Sequence, residues 1–434
     1  MNEVPHRVVI VGGGAGGLEL AIKMGRRFGA EHVFLVDKAS DHIWKPSLHE
    51  VAAGTLDIHR EGLSYVMLAK DAGFTFIYGE LRGVDRQARV VKLDAVLDDE
   101  GHEIFPTRDL AYDTLVLAVG SRSNFFGTPG AREHAVALDS TEQAERFRKL
   151  FLRKLVVANN QPDKASRPLE VAIVGGGATG VELAAELIEA TKNIHYYGLD
   201  SADPSQLVRI TLLEGAARIL VALPPKMSAA AQTLLESRKV QVRTSVRVAA
   251  VREDGLSDSE GVDYPCDICV WAAGIEAPSF LRDLGLSVNR LNQLVVDRML
   301  RTDDPDIFAF GDCAQVPWDK EGEFLPARAQ VAHQQADFLI PILRARIQGT
   351  EVAPAEFRFK DYGSLVAVGH TRGVGSLMGV LSGKSWFVEG VIARLMYMSL
   401  HLMHHLAVLG LARTCALALG RLLLKRSTPR VKLH

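Results

Sequence analysis

Val8-Val9-Ile10-Val11-Gly12-Gly13-Gly14-Ala15-Gly16-Gly17 lies at the start of the chain and decides its fold. Four β-branched residues in a row read as a parallel strand buried on both faces. Gly12-x-Gly14-x-x-Gly17 follows at once, and Leu18 to Gly25 has helical character. Each glycine has a physical task. Gly12 permits a tight turn, Gly14 lets the backbone approach a pyrophosphate, and Gly17 lets the new helix pack against the strand with its N-terminus aimed at the phosphates. A second strand, Val33 to Val36, ends in Asp37, 20 residues beyond Gly17 and placed to hold a ribose hydroxyl.

The pattern then returns. Val171-Ala172-Ile173-Val174 is a strand, Gly175-x-Gly177-x-x-Gly180 its loop, and Val181 to Leu187 the start of a helix. Two such units in one chain imply two dinucleotides, a bound flavin and an exchangeable nicotinamide being the usual pair. The next strand, Val208 to Leu213, ends at Glu214, 34 residues past Gly180, and Tyr197 to Gln206 reads as an insertion. Glu214 would accept from a ribose 2′-hydroxyl and repel a 2′-phosphate, which favours NADH over NADPH. Arg218 nearby is expected to be solvated.

Between and after the loops lie further candidates. Trp44-Lys45-Pro46 belongs to a loop, His42 to Glu50, expected to cross the flavin; it carries no cysteine pair, which removes disulfide reduction. Phe74 to Tyr78 and Ala88 to Leu93 alternate like strands of a small antiparallel ribbon. Tyr112 to Val119 is a buried strand closing on Gly120, where the chain can pass close to a cofactor. Ser140 to Lys154 reads as a charged helix and Asn159 to Pro168 as a linker. Cys266 and Cys269, three apart on an expected strand, should face opposite sides and neither bridge nor chelate. Asp306 to Asp312 is a strand closing on Gly-Asp, with Asp312 a carboxylate for flavin ribityl or phosphate-bridging groups. Pro326 suits a helix N-terminus, and Gln330 and Gln334 then share one helical face.

The C-terminus is apolar from Ile392 to Leu424. Lys and Arg are absent from Leu395 to Ala412, only 18 residues, and three histidines interrupt that run. A spanning helix wants about 20 apolar residues, so the segment fits an in-plane anchor better, followed by the basic residues Arg421, Lys425, Arg426, Arg430 and Lys432. A buried dimer helix is the other reading. At 100° per residue, Arg394, His401 and His405 fall within about 40° of one another, a narrow polar stripe. Gly410 and Gly420 would permit bends. His401 and His405 have the spacing of a metal pair but lack a nearby acid ligand, and no metal is expected.

The totals bound the rest. At 434 residues the chain should hold two or three domains. A net charge of −2 gives no sign of nucleic acid, and four scattered cysteines point to a reducing compartment. No secretory signal precedes the first strand. Mean hydropathy is slightly positive, and the C-terminus is its source.

These residues resemble the type II NADH:quinone oxidoreductases, the single-subunit, non-pumping respiratory NADH dehydrogenases, and their bacterial branch in particular. The motifs that carry the resemblance are the two glycine loops, Trp44-Lys45-Pro46 with Leu48-His49-Glu50, Val270-Trp271-Ala272-Ala273-Gly274-Ile275, Gly311-Asp312-Cys313-Ala314 and, most specific, Ala329-Gln330-x-Ala332-x-Gln334. The resemblance implies an α/β protein with two Rossmann-like dinucleotide-binding domains and a C-terminal helical membrane-binding segment. Residues 1–140 and 290–365 would bind FAD, 141–289 NADH, and 366–434 the membrane. It adds Lys45 and Gly274 to the cofactor contacts. It places Gln330 and Gln334 beside the flavin ring and quinone, and Glu182 beside the nicotinamide and flavin. The implied partners are ubiquinone or menaquinone, the lipid surface on the cytoplasmic face of the inner membrane, and a second subunit. Two rival readings share the loops: an NADH-dependent reductase of a soluble electron carrier, and a flavin redox sensor.

Overall fold

The computed structural model describes residues 5–98, 100–159, 167–196, 207–319, 322–351, 355–369, 373–378 and 385–424. The expected insertion at 197–206, most of the linker after Asn159, and the basic tail from Lys425 onward lie outside the described residues.

The chain begins β1 (Val8–Val11), α1 (Ala15–Phe28) and β2 (Val33–Asp37). Three short helices follow, α2 (Leu48–Ala53), α3 (Ile58–Glu61) and α4 (Tyr65–Ala72), and then β3 (Thr75–Tyr78). An antiparallel sheet of β4 (Leu81–Asp85), β5 (Val90–Leu93) and β6 (Arg108–Ala111) precedes the buried β7 (Thr114–Leu117). The second unit comprises β8 (Ala135–Ala137), α5 (Thr141–Asn159), β9 (Leu169–Val174), α6 (Ala178–Tyr196), β10 (Val208–Glu214), α7 (Pro225–Ser237), β11 (Gln241–Thr244) and β12 (Ile268–Trp271). The chain then returns to the first unit through β13 (Ile307–Ala309) and α8 (Ala329–Gln348). It ends in the antiparallel β14 (Gly363–Ala367), β15 (Gly373–Met378) and β16 (Ser385–Gly390), then α9 (Val391–Leu409) and α10 (Leu411–Leu424).

The two main sheets have the same plan. The first is ordered β13-β7-β1-β2-β3 and the second β8-β12-β9-β10-β11, all parallel. Both faces of each sheet are covered, which is why β1 and β7 are apolar at nearly every position and fully buried. Each glycine loop leaves its central strand where the chain order reverses, the place where open α/β sheets bind ligands. The second sheet already starts at Ala135, ahead of the expected boundary at 141.

Two local expectations change. Phe74 to Tyr78 is not half of an antiparallel ribbon: β3 pairs parallel with β2 at the edge of the first sheet, and β5 finds its partners in β4 and β6. Alternation marks a half-covered strand and does not say which neighbour it takes. Cys266 and Cys269 do not face opposite sides either. Cys266 precedes β12, so strand alternation does not relate the two, and both pack into one cluster with Ala172, Leu213 and Trp271. Both are free thiols. Burial pushes Cys266 up to about 11 and Cys269 further, so neither is a thiolate at neutral pH.

The segment after Trp44 joins the two units. On α2, Leu48, Val51, Ala52 and Ala53 are buried in the second unit's core, against Phe147 and Phe151 of α5 and Val181 and Ala185 of α6. Burying Leu48 and Val51 contributes roughly 2 kcal/mol each. A loop that begins beside the first glycine turn is thereby fixed on the second domain.

Candidate functional site

The two glycine loops share their key contacts. Gly12 and Gly175 have φ of +105° and +111°, and a Cβ on either would collide with the adjoining strand's backbone at Ala118 or Ala272. A Cβ on Gly17 or Gly180 would lie 1.9 or 2.0 Å from the carbonyl oxygen of Gly12 or Gly175. At Gly14 and Gly177 it would meet nothing within 4 Å, so these two positions leave a cradle for a ligand. The acids repeat as well. Asp37 accepts from the N–H of Gly13 at 2.6 Å and of Ala39 at 2.8 Å; Glu214 accepts from Gly176 at 2.6 Å and Ala216 at 2.8 Å. Burial pushes the Asp37 carboxyl above its ordinary value, and the two N–H donors pull it back. Arg218 is not solvated as expected. Its guanidinium donates to the carbonyls of Leu220, Val221 and Leu223.

Around the first loop the predicted cofactor residues converge. Lys45 Nζ donates to Ser121 O at 2.6 Å, and Ser121 Oγ donates to Asp312 Oδ2 at 2.8 Å. Gly120, one residue before, has φ +70° and open space at its Cβ position. Gly274 immediately precedes Ile275–Glu276, which pairs with Arg122–Ser123, and its nearest neighbour is the Phe126 ring, which a Cβ would meet at 2.2 Å. Gln335 carries no signature in the local pattern. It is fully buried, its Oε1 accepts from Gly311 N at 2.8 Å, and its Nε2 has no protein partner, an orphaned donor beside the Gly311-Asp312 turn. The cradles at Gly14 and Gly177, the paired acids and this donor fit two dinucleotides.

Glu182, at the start of α6, is buried. Its Oε1 accepts from Ala367 N at 3.0 Å, and its Oε2 lies 3.6 Å from His49 Nδ1 on α2. The helix holding Gln330 and Gln334 begins at Ala329, so Pro326 stands outside it in the preceding loop. Both glutamines face residues 360–363. Gln330 Nε2 donates to Asp361 Oδ1 and Gly363 O, and its Oε1 accepts from Tyr362 N. Gln334 exchanges two hydrogen bonds with the Lys360 backbone, at 2.9 and 3.0 Å. One N–H of Gln334 is left over from that exchange.

The C-terminal run is two helices broken at Gly410, φ +79°, while α10 continues through Gly420. Among the described residues no helix is long and apolar enough to cross a membrane. The α9 histidines face the protein. His42 donates from Nδ1 to Gly13 O at 3.0 Å, and its Nε2 meets His404 Nε2 at 2.8 Å. Because a carbonyl only accepts, Nδ1 carries the hydrogen and His404 donates. Tyr65 also donates to Gly13 O, so the first glycine loop is held from two sides. Burial lowers His42 and His405 to about 4 and His404 well below its ordinary value. Trp44 packs on His401 and Tyr397. Away from this face Met398, Leu402, Met403 and Leu406 are exposed, as are Leu411, Leu417 and Leu419 of α10 and Val66 and Met67 of α4. Arg413 of α10 pairs with Asp71 of α4. The expected absence of an acid ligand near His401 and His405 is wrong in space: α3 brings Glu61 beside them.

A family model described as pyridine nucleotide-disulphide oxidoreductase matches residues 6–336, and the chain is an oxidoreductase of that class. The type II NADH:quinone oxidoreductase of Haemophilus influenzae is 37% identical, covering 98% of this chain and 99% of its own. One from Staphylococcus haemolyticus is 27% identical, covering 90% and 95%. The structure of NDH2 from Plasmodium falciparum in complex with NADH superposes with a TM-score of 0.79 at 19% identity, over 99% of this chain and all of that one. The chain belongs to the type II NADH:quinone oxidoreductases, flavin-dependent NADH dehydrogenases.

Proposed function

We propose that this chain binds FAD at the first glycine loop and NADH at the second. In this reading it reduces a lipid-soluble quinone from the cytoplasmic face of the inner membrane without pumping protons. The observation that carries the reading is the link from α9 to the first loop through His404, His42 and Gly13 O. The helix that exposes Met403 and Leu406 is two side chains from the flavin cradle, so an acceptor dissolved in lipid has a short approach.

The bound flavin supplies a carrier that takes hydride from NADH and returns two electrons to the quinone. The protein supplies position. Gly12, Gly14, Gly17 and Asp37 would hold the first dinucleotide, with Lys45, Gly120 and Asp312 beside it. Gly175, Gly177, Gly180 and Glu214 would hold the second, with Gly274 just before the ribbon between the domains. Glu182, oriented by Ala367 N and His49, positions the nicotinamide or holds a proton at its carboxylate. Gln330 spends its amide on residues 361–363 and keeps that strap closed, while the remaining N–H of Gln334 serves a quinone carbonyl. The apolar faces of α9 and α10 lie in the bilayer surface.

Anaerobic stopped-flow at the flavin absorbance tests this. NADH should bleach the flavin rapidly, and a short-chain quinone should restore it rapidly. Restoration only by a soluble protein carrier or oxygen would replace the proposal with a carrier reductase.

A further inference from the structure

We propose that Glu61, His401 and His405 form a Zn²⁺ site that fastens α9 to α3, in the segment that joins the two units. Their ligand atoms all lie within 4.8 Å of one another. A tetrahedral zinc shell sets ligand atoms about 3.3 Å apart, so each pair needs to close by no more than about 1.5 Å. The two histidines are one helical turn apart on α9, with ring centroids 4.4 Å apart, so the helix fixes two ligands in advance. Glu61 comes from the other end of the chain, as the last residue of α3.

The donor set selects the ion. Two imidazoles and one carboxylate suit a borderline cation such as Zn²⁺ rather than the all-oxygen shells of Mg²⁺ or Ca²⁺. The setting is screened from solvent: His405 is buried, Glu61 and His401 are half-buried, and the Trp44 ring stands 5.0 Å from His401. Glu50 adds a negative charge facing His401. Water would take the fourth position. The consequence is mechanical. α9 touches the glycine loop through His404 and His42, and α9 also carries the exposed apolar face. A metal tie to α3 fixes both relative to each other. The other grouping of this kind, Asp98, Glu100 and His102, is wholly exposed and serves as a control.

The test uses untagged, flavin-loaded, chelator-washed protein in detergent, titrated with Zn²⁺ against a fluorescent chelator. One tight Zn²⁺ per flavin is expected. Glu61→Gln and His405→Gln should each weaken it by roughly 100-fold, about one ligand's share of a structural zinc site, and His102→Gln should leave it unchanged. Zn²⁺ should also raise the thermal midpoint of the unaltered protein and not that of Glu61→Gln, whose flavin content and NADH-driven bleaching stay normal. Absence of a tight site overturns the proposal. So does wild-type affinity in both Glu61→Gln and His405→Gln, or loss of the site in His102→Gln alone.

Discussion

Replacing Glu214 with glutamine should narrow the preference for NADH over NADPH by roughly 10- to 100-fold. Glu214 ends β10 with Oε2 on Gly176 N and Oε1 on Ala216 N, facing the cradle at Gly177. Two unit charges about 4 Å apart interact by about 4 kcal/mol at the effective dielectric of a protein surface. Glu214 is half-buried, and salt screening reduces this to about 1.5–3 kcal/mol. Glutamine keeps one acceptor oxygen for Gly176 and turns an amide toward Ala216 N, so the loop loosens for both substrates alike. That common loss, roughly 1.5–3 kcal/mol for a charge-assisted hydrogen bond, raises both KM values and cancels in their ratio. The ratio therefore isolates the ribose contact, the repulsion of a 2′-phosphate together with the acceptor for a 2′-hydroxyl. Relief of repulsion is all that NADPH gains, because Arg218 stays committed to three carbonyls. The assay is steady-state kcat/KM for each nucleotide with a short-chain quinone, at matched flavin content. An unchanged ratio, with both KM values raised, would show that Glu214 shapes the loop and does not read the ribose.

Gly180→Ala should cost about 1–3 kcal/mol by overpacking, since its Cβ would sit 2.0 Å from Gly175 O; thermal melts and the NADH dependence of bleaching would show it, with flavin content kept. Met403→Glu with Leu406→Glu should weaken vesicle binding by about 100-fold or more, from roughly 1.5–3 kcal/mol per side chain, and leave flavin bound; unchanged flotation with vesicles would place the lipid contact elsewhere. Gln330→Met removes the amide holding residues 361–363, at about 0.5–1.5 kcal/mol per net hydrogen bond, and should slow quinone reduction about tenfold more than flavin reduction by NADH. His42 and His405 are buried neutral with values lowered to about 4, and burial holds His404 well below its ordinary value. Such groups favour the folded state above the unfolded value of about 6.5, and that stability is lost as pH falls toward 4. A thermal midpoint that drops steeply between those limits, with flavin release, is the expected outcome, and His404→Gln should flatten the drop.

What the sequence made legible is what lies within one turn of chain. The spacing Gly12-x-Gly14-x-x-Gly17 and the acid at the next strand's end are both local, and the structure realises them twice with matching hydrogen bonds. Sites made by return of distant chain were not legible. Local pattern is silent on Gln335 because one buried glutamine in an amphipathic helix has no periodic signature; only its orphaned Nε2 beside Gly311 marks it. The same holds for His49 beside Glu182, and for Glu61 beside His401, where no spacing along α9 could report a residue on α3. The polar stripe on α9 shows the difference most clearly. Periodicity placed the histidines on one face of an apolar helix, which is right, but a stripe does not say what it faces. Because His42 needs a donor for its Nε2 in the tautomer that Gly13 O imposes, that face turns inward onto the glycine loop. The apolar face is left outward by the same constraint, so the hydrogen bond that steadies the first glycine loop also orients the exposed apolar surface of α9.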